Sequence, residues 1–320
     1  MDRVLVAGGS GFIGSHLCKE LLNKNKKVIC IDNLITGSKK NIEELLQNSN
    51  FQFFEADVSR QEDFEKLDLK GITHLYHLAS PASPNVKSKR SYMSFPIETL
   101  LANSQGTYNL LNIAKENNAK FLYASTSEVY GNPTVSPQDE SYFGNVNPNG
   151  PRSVYDEGKR YGEAMVMAYF RKFNLNTVII RIFNTYGPFM QPDDGRVVSN
   201  FINQAIVNDP ITVYGDGKQT RSFCYIDDMV SGLSLAMFSE QTTGEVINLG
   251  NPNEQKIIEI AEVVKRICSS SSEIVFEELP QDDPICRKPD IAKAKRLLDW
   301  EPKIGIEDGI EKTVEYFKRV

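Results

Sequence analysis

Tyr155 and Lys159 stand four residues apart in Ser153-Val154-Tyr155-Asp156-Glu157-Gly158-Lys159-Arg160, so on a helix they share one face. A phenol with a pKa of about 10 is a poor base at neutral pH, but a neighbouring ammonium favours its phenolate, and the pair can then take a proton from an alcohol. The same spacing also describes a pair on a solvated helix face. The stretch Phe121-Leu122-Tyr123-Ala124-Ser125-Thr126-Ser127-Glu128-Val129-Tyr130-Gly131 adds partners at a strand terminus. Thr126 can polarise a hydroxyl and Glu128 can move a proton, although loop acids more often serve no chemistry.

An anion cradle near the start of the chain turns these residues toward redox work. Val4-Leu5-Val6-Ala7-Gly8-Gly9-Ser10-Gly11-Phe12-Ile13-Gly14-Ser15-His16 places glycines at 8, 11 and 14, after an apolar run and at the start of a helical pattern. Gly8 permits a tight turn, Gly11 lets backbone approach a pyrophosphate, and Gly14 lets helix and strand pack closely. Asp32 ends the next apolar run about 20 residues on, where a carboxylate accepts from the adenosine ribose hydroxyls and repels a 2′-phosphate. The cofactor expected is therefore NAD, with Lys39 and Lys40 on a solvated helix start. Phe12, Ile13, Asn33 and Val58 are expected against the same dinucleotide, and Lys159 is placed to hold its nicotinamide ribose. Asp57 is suited either to the adenine amino group or to capping its own strand end.

Such a site needs a rigid layered scaffold. Short apolar runs at 4–7, 28–31, 51–54, 75–78, 121–125 and 177–180 alternate with amphipathic stretches at 15–22, 99–116 and 155–173. Continuous apolar strands with helical crossovers predict a doubly wound parallel α/β sheet of the Rossmann type. Past residue 180 the rhythm breaks at Tyr186-Gly187-Pro188, Asp193-Asp194-Gly195 and Tyr214-Gly215-Asp216-Gly217. The expected division is a dinucleotide-binding domain over 1–180 and a smaller C-terminal α/β substrate lobe over 181–320, with part of 222–250 returning to the sheet.

Composition narrows the function classes. The 320 residues carry 36 Lys plus Arg against 42 Asp plus Glu, a net charge of -6 that disfavours a nucleic-acid partner. No apolar run approaches a membrane span, and Met1-Asp2 leads straight into Val4-Leu5-Val6 without a leader pattern, so the expected compartment is cytoplasmic, with no membrane partner. Cys18, Cys30, Cys224, Cys268 and Cys286 show no metal-knuckle or redox-pair spacing and read as reduced thiols, with no metal expected.

Longer runs sharpen this. His77-Leu78-Ala79-Ser80-Pro81-Ala82-Ser83-Pro84, Ser125 to Gly131, Tyr155 to Arg160, Arg181 to Pro188, Asp194 to Phe201 and Thr212 to Arg221 together resemble the extended short-chain dehydrogenase/reductase family acting on nucleotide sugars. They are most similar to its UDP-glucuronate-decarboxylating branch. The resemblance implies Tyr155 as base, Lys159 as its partner and Thr126 as hydroxyl donor. It implies Asn184 and Arg221 on the substrate diphosphate, with Val198 to Phe201 and Thr212 to Tyr214 around the nucleobase, Val198 and Tyr214 foremost. It also implies a nucleotide-sugar substrate, UDP-linked, and a homodimer seamed by the 99–116 and 155–173 helices.

The reaction so implied oxidises C4 of UDP-glucuronate, loses CO2 from the resulting β-keto acid and reduces C4 again, giving UDP-xylose with NAD recycled. A 4-epimerase or 4,6-dehydratase of the same family is the competing enzyme, and a non-catalytic NAD-binding sensor the competing class. Dehydratases of the family carry an Asp-Glu pair after the threonine, where this chain has Ser127-Glu128. Two departures from the decarboxylase pattern stand out: Glu98 and Leu101 replace lysines, and the loop Asn85-Val86-Lys87-Ser88-Lys89-Arg90-Ser91-Tyr92-Met93 is longer and basic.

Overall fold

The apolar runs form the middle of one parallel sheet. In the computed structural model, which describes residues 1–85, 88–192, 194–279 and 286–319, these are β1 (Arg3–Ala7), β2 (Lys27–Asp32), β3 (Phe51–Glu55), β4 (His74–His77), β5 (Lys120–Thr126) and β6 (Thr177–Ile182). A seventh strand, β7 (Glu245–Leu249), pairs in parallel with β6 at the edge. Lys87 of the basic loop and Asp193 of the turn at 193–195 lie outside the described residues. The spatial order β7-β6-β5-β4-β1-β2-β3 reverses direction between β1 and β4. A crevice opens beyond the carboxyl ends of strands at such a reversal.

Both faces of the sheet are buried, which is why its strands read as continuous rather than alternating. Val4 and Val6 enter one core while Leu5 and Ala7 enter the other. On the first face α1 (Phe12–Asn23) packs beside the helix Ile226–Phe238. On the second lie α2 (Pro96–Leu101), α3 (Thr107–Asn117) and α4 (Ser153–Phe173).

The single helix expected over 99–116 is interrupted: α2 and α3 join through a π turn, Ala102–Gly106. The turn turns Asn103 inward, where its side-chain amide donates to Ser80 Oγ and to Thr99 O at 2.9 Å and accepts from Tyr123 Oη at 3.0 Å. Polar anchoring across the sheet thus displaces the regular ladder, as π turns at functional regions commonly do.

The remainder forms the smaller lobe, built on α5 (Val197–Val207) and short sheets. Thr220–Ser222 runs between Glu254–Lys256 and Cys286–Arg287, and Ile211–Tyr214 pairs with Ile274–Glu277. Among the described residues no helix is long and apolar enough to cross a membrane.

Candidate active site

A cleft of about 810 Å3 lies between sheet and lobe. At its sheet end Gly8 turns with φ +82°, and a Cβ there would stand 2.6 Å from the Ala79 amide nitrogen after β4. A Cβ on Gly14 would meet Gly8 O at 2.1 Å, so α1 can pack this close only without a side chain. Gly11, Phe12, Ile13 and Gly14 line the cleft, and α1 begins with neither a side-chain cap nor an acidic residue in its first turn. Its first amides therefore point unsatisfied toward any anion there.

Asp32, Asn33, Asp57 and Val58 line an adjoining smaller pocket. Asp32 accepts from the Ser10 amide at 3.1 Å and the Leu34 amide at 2.9 Å, and burial raises its pKa. Asp57 caps the turn through Ser59 and also accepts from Asn33 Nδ2 at 3.0 Å. Lys39 is paired with Glu55 at 2.9 Å on the surface, away from a phosphate-clamping role. These residues fit a dinucleotide lacking a 2′-phosphate.

Tyr155, Lys159 and Thr126 line the cleft beyond the glycines, all buried. The Tyr155 ring stacks on Tyr92, with centroids 5.0 Å apart and planes 6° from parallel. Burial pushes the Tyr155 phenol above its ordinary range, and a hydrogen bond with Thr126 draws it back. The Lys159 ammonium donates to Ala124 O at 2.8 Å and stands 5.8 Å from the Tyr155 ring centre, near enough to favour the phenolate by charge. Burial lowers Lys159 itself to about 7, against the pull of Glu163.

Glu128 lies between two arginines. Burial alone would raise its carboxyl, but Arg152 at 2.6 Å and Arg287 at 3.2 Å bring it down to about 2. It is a carboxylate at neutral pH, the form that gathers both arginines and can accept a proton. Arg287 further donates to Ser127 Oγ at 3.1 Å and Gly131 O at 3.0 Å. Behind them Asp156 is pushed up to about 8 by burial and by Glu128. Sequence reasoning missed Arg287 and Arg152; the Arg-Lys-Pro-Asp run at 287–290 was the available signal. Asn184, Val198, Tyr214 and Arg221 all line the lobe end of the same cleft, where Arg221 Nη1 donates to Thr220 O at 2.9 Å.

With that geometry in hand, residues 4–250 match the NAD dependent epimerase/dehydratase family. The chain belongs to that family. UDP-glucuronic acid decarboxylase 1 of Xenopus tropicalis is 48% identical over 317 residues, covering 99% of this chain and 72% of that protein. The Arabidopsis thaliana protein of the same name is 49% identical over 316 residues, covering 99% and 70%. The Bacillus cereus UDP-glucuronic acid 4-epimerase, solved in complex with UDP-glucuronic acid and NAD, superposes with TM-score 0.85 at 32% identity over 99% of each chain.

In this epimerase/dehydratase chain the two departures noted above fall in different places. Glu98 lines the smaller, adenosine-side pocket. Leu101 is 43% exposed on the outer face of α2, so its substitution removes a charge from the surface of the helix.

Proposed function

We propose that the protein decarboxylates UDP-glucuronate to UDP-xylose, with NAD regenerated in every turnover. The observation that carries this reading is one juxtaposition: the buried Tyr155–Thr126 pair opens into the same cleft as the glycine cradle and the Arg152–Arg287 pair gathered by Glu128. Decarboxylases at 48–49% identity along the chain support it.

NAD, when bound, takes a hydride from C4 of the sugar and later returns it. The protein's part is proton handling and charge. Thr126 orients the C4 hydroxyl and Tyr155 accepts its proton. Once C4 is a ketone, the electron pair of the bond to the departing CO2 passes to the C4 oxygen, and the protonated phenol of Tyr155 stabilises that enolate. C5 takes up a proton from solvent water, and Tyr155 returns its own to O4 as the alcohol reforms. Lys159, fixed on Ala124 O, would hold the nicotinamide ribose. Ser127 supports the reading over dehydration: it gives Arg287 a neutral acceptor where an aspartate would add an acid.

The Bacillus cereus neighbour favours a second reading, 4-epimerisation of the same acidic sugar. Incubating the protein with UDP-glucuronate and no added oxidant separates the two by mass. Loss of CO2 is expected; an unchanged mass with inverted C4 would establish epimerisation instead.

We further infer a homodimer. Ile97, Leu100, Leu101 and Tyr108 on the α2–α3 side and Tyr161 and Phe173 on α4 are exposed large apolar residues on neighbouring helices. Covering them with a second copy would form a four-helix seam.

A further inference from the structure

The long basic loop before α2 sends Asn85, Arg90, Tyr92 and Met93 into the cleft, and Arg90 is the charged one among them. Arg90 lines it together with Gly11, Gly14 and Thr36. Its Nη1 lies 3.3 Å from Thr36 O. Thr36 belongs to the opposite wall and is shared with the smaller pocket holding Asp32 and Asn33. The guanidinium thus reaches from the loop across to the strand-β2 side of the glycine turn.

The loop is tied down on both sides of this residue. Ser91 Oγ and the Tyr92 amide both donate to Ser83 O, at 3.0 and 3.1 Å. The Arg90 amide donates to Ser88 Oγ at 3.1 Å, and Ser94 Oγ to Ser88 O at 2.8 Å. Tyr92 is itself stacked on Tyr155. Arg90 is therefore held at the rim by the same segment that packs on the catalytic phenol.

Charge says what it is for. Arg90 brings a cation to the dinucleotide side of the cleft, where it meets Thr36 O. The dinucleotide end gathers Asp32, Asp57 and Glu98. A pyrophosphate on the glycine turn adds negative charge to that wall, and a guanidinium fork is the side chain that matches its oxygens.

We propose that Arg90 is a cofactor-binding residue that closes over the dinucleotide pyrophosphate from the solvent side, opposing the negative charge of a wall that carries Asp32, Asp57 and Glu98. The proposal rests on the NAD-binding reading and is independent of which sugar is turned over, so it is tested by binding alone. Calorimetric titration of NAD and of ADP-ribose, with adenosine followed by displacement, is compared for wild type, Arg90→Ala and Arg90→Lys. Arg90→Ala should weaken NAD and ADP-ribose alike by about tenfold to a hundredfold, as loss of a charge-assisted bond requires. Adenosine, which has no pyrophosphate, should bind both proteins equally, and Arg90→Lys should fall between. Equal NAD affinity for wild type and Arg90→Ala overturns the proposal. So does a loss shared by adenosine, which would mean a reshaped pocket, or a rise confined to the KM for UDP-glucuronate, which would reassign Arg90 to the sugar. A wild-type protein that binds NAD yet leaves UDP-glucuronate untouched would reject the decarboxylase reading and leave the clamp standing.

Discussion

Tyr155 sits where two demands conflict: a base needs a low pKa, and burial raises it. Thr126 is the partner that opposes burial, so the pair should fail together. Tyr155→Phe should lower turnover by about 10²–10⁴-fold with NAD binding retained, measured by product formation and calorimetry. Glu128 makes a pH prediction. Its carboxyl is held at about 2 against an ordinary 4.5, so its stabilisation is complete above about pH 4.5 and drains away as the pH falls toward 2. Glu128→Gln removes the one negative charge that both arginines face and should cost on the order of 3 kcal/mol at neutral pH. In thermal melts the gap to wild type should close across that acid window; a constant gap would show that the carboxylate's charge is not what stabilises. The residue types of the site were legible in the chain, because a Tyr and Lys at helical spacing and a Glu two residues after Thr126 announce proton chemistry. The pairing was not: Glu128 and Arg287 meet only through the fold, and no local spacing reports that contact.

At the scale of elements, the turn from β1 into α1 is the most constrained piece. Gly14 packs against Gly8 O at a distance no Cβ allows, so Gly14→Ala must push α1 off the strand. The expected outcome is a lowered melting temperature together with at least about tenfold weaker NAD binding, since both the packing and the amide cradle depend on that approach. Unchanged calorimetric affinity would show that the cradle is not formed by this turn. Strands and helices here were legible because burial on both faces writes continuous apolar runs. The π turn at Ala102–Gly106 was not, since its cause is Asn103 reaching Ser80 and Tyr123 from other elements.

At the scale of the molecule, the cleft joins a dinucleotide wall to a lobe that carries Asn184, Val198, Tyr214 and Arg221. The apolar residues left outside it bear on assembly. Leu100→Glu with Tyr161→Glu should shift the protein from dimer to monomer in analytical ultracentrifugation; a wild-type monomer at micromolar concentration would dismiss the seam. The surface of a helix is a local property that its periodicity reveals, but whether a face meets the sheet or another molecule is decided by packing.

Taken by itself, the chain determined the parallel sheet, the dinucleotide turn with Asp32, and the trio Thr126, Tyr155 and Lys159, because each is encoded in short-range spacing: strand runs, a glycine trio, a helical i to i+4 pair. Only the tertiary structure decided what those groups do electrically. It stacked Tyr155 on Tyr92, set Glu128 between two arginines, and carried Arg90 across to Thr36. A pKa and a charge clamp depend on burial and on partners brought from distant segments, and neither exists until the chain has closed around them.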